Sequence, residues 1–84
     1  MPNLPSGNAS SPAQLAFAVT PSNTVDLAQV TRGIYVGVSG DLKVDMVAGG
    51  TVIFVDLAAG MIHPIAAKRI YQTGTDATNI IGLY

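Results

Sequence analysis

The sequence has no cysteine, no tryptophan and no glutamate. Without cysteine there can be no disulfide and no thiolate metal site. The single histidine, His63, cannot assemble a metal cluster alone, so no cofactor is expected. Charge is also scarce: 11% of residues are charged, against about 25% in a typical soluble domain. A net charge of −1 offers no electrostatic footprint for nucleic acid. With Lys43 and Lys68 the only lysines, charged helix formers are few. No apolar run approaches the ~20 residues of a membrane helix. A basic n-region followed by an apolar h-region is missing at the N-terminus. The expectation is synthesis in a cytoplasm with no membrane partner, and the Asn8-Ala9-Ser10 sequon is read as a chance match.

What the chain does have is valine, isoleucine, threonine, glycine and aspartate, the residues of strands and turns. Its 84 residues make one domain. A chain this short buries only about 60% of its unfolded surface, and small domains commonly compensate with disulfides, metals or oligomerisation. With the first two excluded, self-association remains. Too few charges to solvate a monomer's surface point the same way.

Residues 1–14, MPNLPSGNASSPAQ, are rich in proline, serine and asparagine and cannot build a core. They are expected to form an extended arm laid against a neighbouring subunit or another surface. Residues 15–84 are expected to form a single β domain. Strand patterns occur at 15–20, 33–39, 42–47, 51–57 and 78–84, with 25–30 ambiguous. Turn chemistry separates them at Pro21-Ser22-Asn23-Thr24, Ser39-Gly40-Asp41, Ala48-Gly49-Gly50, Ala58-Ala59-Gly60 and Gly74-Thr75-Asp76. The short spacing predicts hairpins at Ser39-Gly40-Asp41 and Ala48-Gly49-Gly50. In 61–73, Pro64 predicts an edge, a bend or a bulge. A short helix over 58–71 is an alternative that Gly60 and Pro64 weaken. The whole predicts an all-β fold, a small antiparallel β-sandwich or barrel of about six strands with an extended N-terminal arm.

The segment 51–57, TVIFVDL, poses the sharpest question. Strand side chains alternate between faces, so Val52 and Phe54 share one face while Ile53, Val55 and Leu57 share the other. The larger Phe54 assigns the first set to the domain's own core. The second set then needs a partner or a second sheet.

No constellation of catalytic residues emerges. Gly33, Gly37 and Gly40 match neither a dinucleotide nor a Walker loop. Ser39, Asp41 and His63 form a triad only on paper, and the aspartates make no calcium loop. The pair Lys68-Arg69 is either a solvated strand end or the cationic half of a salt bridge to an aspartate across a subunit boundary. Tyr35, Tyr71 and Tyr84 are either a stacking platform or, more in keeping with the low positive charge, core and interface packing. Ile53, Val55, Leu57, Lys68, Arg69 and Tyr84 are the candidate interface residues, and no catalytic, cofactor or metal residue is expected.

Four segments in order, FAVTPSNTVDL (17–27), RGIYVGVSGDLKVDM (32–46), GTVIFVDLAAGMIHPI (50–65) and KRIYQTGTDATNIIGLY (68–84), resemble the head-spike base proteins of tailed phages and gene transfer agents. The resemblance spans residues 17–84 and includes Thr20-Pro21-Ser22, Tyr35-Val36-Gly37, Ala59-Gly60, Pro64, Arg69 and Thr73-Gly74-Thr75. Asn23 and Val25 depart from it within one loop, and the residues before Phe17 match nothing in it. It implies a non-enzymatic virion protein, a spike base or decoration protein on the outer surface of the head. Its implied partners are itself, as a cyclic homo-oligomer with a pentamer favoured over a trimer, the major capsid protein, and a spike or fibre protein. A neck, tail or fibre adaptor and a free-standing carbohydrate-binding module are the alternatives.

Overall fold

The structure, a computed structural model, describes residues 13–84. It contains seven strands and no helix among those residues: β1 (Ala16–Ala18), β2 (Gly33–Val38), β3 (Gly40–Met46), β4 (Thr51–Leu57), β5 (Met61–His63), β6 (Ala67–Ile70) and β7 (Thr78–Leu83). They form two antiparallel sheets, a four-stranded one in the order β1-β7-β2-β5 and a three-stranded one in the order β4-β3-β6. This is the small all-β sandwich that the alternation predicts. Residues 1–12 of the expected arm lie outside the described residues. The amides of Gln14 and Leu15 both donate to the Tyr84 carbonyl, at 2.9 and 3.0 Å.

The core comes from the inward faces of the central strands. Ile34 and Val36 of β2, Ile80 of β7, Leu42 and Val44 of β3, and Ala67 and Ile70 of β6 are buried together. Alternation explains most of this, because these residues sit two apart on β2 and β3. Ala67 and Ile70 sit three apart, and the structure shows why. One step along β3, from Asp45 to Met46, is matched by two along β6, from Arg69 to Ala67. The extra residue is a bulge that returns Ala67 to the inside.

Three expectations need correction. Ser39-Gly40-Asp41 is not a hairpin turn: β2 ends at Val38, β3 begins at Gly40, and the chain passes from one sheet to the other through Ser39 alone. The segment 58–71 is not a helix but two strands split by a tight turn, which raises the count from six to seven. At that turn the Ile65 amide donates to the His63 carbonyl at 2.8 Å, with Pro64 between them, the place where a fixed φ and a missing N–H suit a three-residue turn. Leu57 does not share a face with Ile53 and Val55. Gly40 lies opposite Leu57 and Leu42 opposite Phe54, so β4 holds one residue more than β3 in this stretch. Asp56 takes that step with a φ of 54°, and Leu57 returns to pack on the core beside Phe54.

One side of the sandwich is closed by the segment between β1 and β2. The amides of Ser22, Leu27 and Thr31 donate to the carbonyls of Ile70, Lys68 and Ala67 along the outer edge of β6. The Thr31 hydroxyl, buried, donates to the Ile65 carbonyl at 2.8 Å and accepts from the Ala67 amide at 3.0 Å. Thr31→Val keeps the shape and removes both bonds. It should lower stability by about 1–3 kcal/mol, because it strands a buried donor and acceptor. Urea unfolding of the two proteins checks this.

Candidate interaction surfaces

The outer face of the three-stranded sheet carries a polar cluster. Asp45 of β3 lies opposite Thr51 of β4 on one side and Arg69 of β6 on the other. Its carboxylate accepts from the Thr51 hydroxyl and, at 2.9 Å, from the Tyr71 hydroxyl. The Thr51 bond, with help from Tyr71 and Arg69, holds the Asp45 carboxyl below its ordinary value. The Tyr71 ring lies under the Lys43 ammonium at 4.7 Å and the Arg69 guanidinium at 5.7 Å, within cation–π range. Beyond Thr51, the outward face of β4 continues in two aliphatic side chains, Ile53, 50% exposed, and Val55, 73% exposed.

The four-stranded sheet has an apolar outer face that the sequence reading missed. Ala18, Ile81, Tyr35 and Ile62 are successive cross-strand partners on β1, β7, β2 and β5. Ala16, Leu83 and Gly33 form a second row. None of these residues is charged, and Ile62 is 61% exposed. A Cβ at Gly33 would lie 3.0 Å from the Ile62 side chain and 3.5 Å from that of Leu83, so glycine lets the two close over the strand. The adjacent apolar pairs Ile80-Ile81 and Met61-Ile62 were the available signal, the same break in alternation that drew attention to β4. A third feature is an open groove of about 510 Å³ along β1 and the segment after it, lined in part by Phe17, Pro21, Val25 and Leu27.

The structure separates the six candidate interface residues into two groups. Ile53, Val55 and Lys68 are exposed. Leu57, Arg69 and Tyr84 are engaged within their own chain. Leu57 packs on the core. Arg69 Nε donates to Asp26 at 2.7 Å, a salt bridge inside the subunit where one across a boundary was considered. Tyr84 meets Phe17 edge to face, with ring centroids 5.6 Å apart. The paper triad is used on the backbone at the end of β4 and in the β4–β5 connection. Asp41 accepts from the Asp56 amide at 2.9 Å, Ser39 accepts from the Ala59 amide at 3.0 Å, and His63 Nε2 lies 3.0 Å from the Ala58 carbonyl. Among the described residues, no group of three or more histidine, cysteine or acidic side chains is placed to hold a metal.

The class defined by these features is a two-sheet β-sandwich with uncovered apolar surface on both sheets. Comparison with solved structures returns the same architecture in a chain of "Capsid of native GTA particle computed with C5 symmetry", GTA denoting a gene transfer agent. That chain is 33% identical over 94% of this chain and 92% of its own, with a TM-score of 0.80. No family model matches, and no curated protein matches. At that identity and coverage, the protein belongs to the capsid-related family of phages and gene transfer agents.

Proposed function

We propose that this protein is a structural component of a phage-type particle, set on the outer surface of the head as the base of a spike or fibre, or as a decoration protein. The observation that supports this most directly is the near full-length likeness, in sequence and in fold, to a chain of a gene transfer agent capsid. The reading is non-enzymatic: the polar side chains singled out in the sequence are spent on turns and on the Asp45–Tyr71 cluster. Copies of the chain form a ring, with five favoured by the symmetry of that particle. The uncovered aliphatic surface of β4 and the apolar face of the four-stranded sheet suit contacts with other copies, with the shell and with a spike. The arm, residues 1–14, is proposed to lie extended against a neighbour or the shell, where proline limits the entropy lost on ordering.

Purified particles from the host that encodes the protein test this reading. The full chain should co-purify with intact heads and be accessible there to antibody. A chain lacking residues 1–12 should fold, by circular dichroism, yet be missing from the heads. Full-length protein found only in the soluble fraction of the lysate would overturn the assignment. Normal incorporation of the shortened chain would overturn the role of the arm alone.

A further inference from the structure

The two sheets together have four edges, and they are not equivalent. The outer edge of β6 is covered by the segment between β1 and β2. The β5 edge is three residues long and runs into Pro64. β4 is different: it ends its sheet, spans seven residues, and among the described residues no backbone hydrogen bond reaches its outer edge. Proteins that leave a strand edge open usually blunt it with proline, lysine, a short strand or an inward charge. β4 has no proline and no lysine, and its one charge, Asp56, sits at its far end.

At the opposite edge of the molecule lies a surface of matching chemistry. β1 ends the other sheet and, among the described residues, no backbone hydrogen bond reaches its outer edge either. The groove beside it is lined mainly by apolar side chains, Phe17, Pro21, Val25 and Leu27 among them, with Thr20, Ser22 and Asp26 also in its wall, and Val25 is 65% exposed. One chain therefore carries an open aliphatic strand on one side and an open, mainly apolar groove along a second free strand on the other.

We propose that copies of this chain join head to tail, with β4 of one copy seated in the groove of the next. Ile53 and Val55 fill the groove, and the free backbone of β4 faces the free edge of β1. This rests on the self-associating ring proposed above and names its contact. The two surfaces differ, so the contact is heterologous; it gives the ring proposed above where the rotation between copies closes, and an open filament where it does not. Pairing of β4 with β4 would join two copies and leave both grooves empty.

Val55 and Val25 are both exposed, so a lysine at either position should leave the fold intact, as circular dichroism will show. Wild-type protein at tens of micromolar should be oligomeric by native mass spectrometry and sizing. Val55→Lys alone and Val25→Lys alone should each be monomeric. An equimolar mixture should give one new species, a 1:1 heterodimer, since one intact β4 and one intact groove remain between the two variants. A folded variant that still assembles like wild type, or a mixture that stays monomeric, would overturn the proposal. So would a monomeric wild type, which would leave the β4 edge to a strand of another protein. These outcomes are independent of location: a wild type that reaches the heads while Val55→Lys still assembles refutes the contact, not the virion assignment. A correctly assembled ring absent from heads would do the reverse.

Discussion

Leu42→Ala should lower stability by about 2–5 kcal/mol, the range for a leucine truncated in a packed core. Leu42 has no exposed surface, and it lies opposite Phe54 at the centre of the inner face of the three-stranded sheet. A domain of 84 residues has on the order of 4–13 kcal/mol in total, so the variant should be largely unfolded well below the wild-type midpoint in urea. Phe54→Ala would cost roughly 3–5 kcal/mol in a closed core. Here it should cost less than Leu42→Ala, because Phe54 faces the core but remains half-buried beside the open edge. Val55→Lys, one residue further along β4, should lower the midpoint only by what assembly contributes, a difference that vanishes on dilution to concentrations where the wild type is also monomeric. Unfolding curves for the three variants give the order directly. A loss below about 1 kcal/mol at Leu42 would show that the sheets can close over the vacated space.

Among the described glycines, Gly40→Ala should be one of the most damaging substitutions. An added Cβ would stand 2.6 Å from the Ala77 backbone nitrogen and 2.8 Å from the Asp76 carbonyl carbon. No side-chain rotation relieves a clash with backbone, so one chain must move. That movement breaks the contacts that hold this corner: the amides of Asp76 and Ala77 both donate to the Asp41 carbonyl, at 2.8 and 3.2 Å. The expected loss is about 3 kcal/mol, the upper end for overpacking. Gly49 makes the control. Its φ of 112° strains any side chain, but nothing lies within 4 Å of an added Cβ, so Gly49→Ala should cost less. Thermal melts of the two variants check the order, and equal melting temperatures would count against the clash at Gly40.

Much of this architecture was legible in the sequence, and the misreadings have physical causes. The alternation in 33–38 and 42–46 placed β2 and β3 correctly, and the strand at 51–57 carries the bounds that its apolar run suggested. Ser39-Gly40-Asp41 has the chemistry of a hairpin turn, yet it makes a crossing between sheets. Glycine is needed there for the close approach of residues 76–77, a contact across 36 positions that no local pattern reveals. Ala67 and Ile70 are spaced like a helix because a bulge on β6 imitates that period. The same device at Asp56 turned Leu57 inward. On the candidate surfaces, Ile53 and Val55 could be read from one strand alone. The row Ala18–Ile81–Tyr35–Ile62 could not, because it is assembled from four strands whose order the turns do not specify. Arg69 and Asp26 were each visible as charges, but their pairing depends on how the segment before β2 lies along β6.

Three of the four crossings between the sheets are short, and this has a mechanical consequence. β2 passes to β3 through Ser39, β4 to β5 through residues 58–60, and β5 to β6 through residues 64–66. A link of three residues extends at most about 10 Å, and packed sheets already stand about 10 Å apart. These tethers hold almost no slack. A pull on one sheet is transmitted to the other before the layers can part or slide. The domain should therefore respond to tension as one stiff block, until the pairing of β1 with β7, where residues 14–18 lie beside residues 81–84, peels apart.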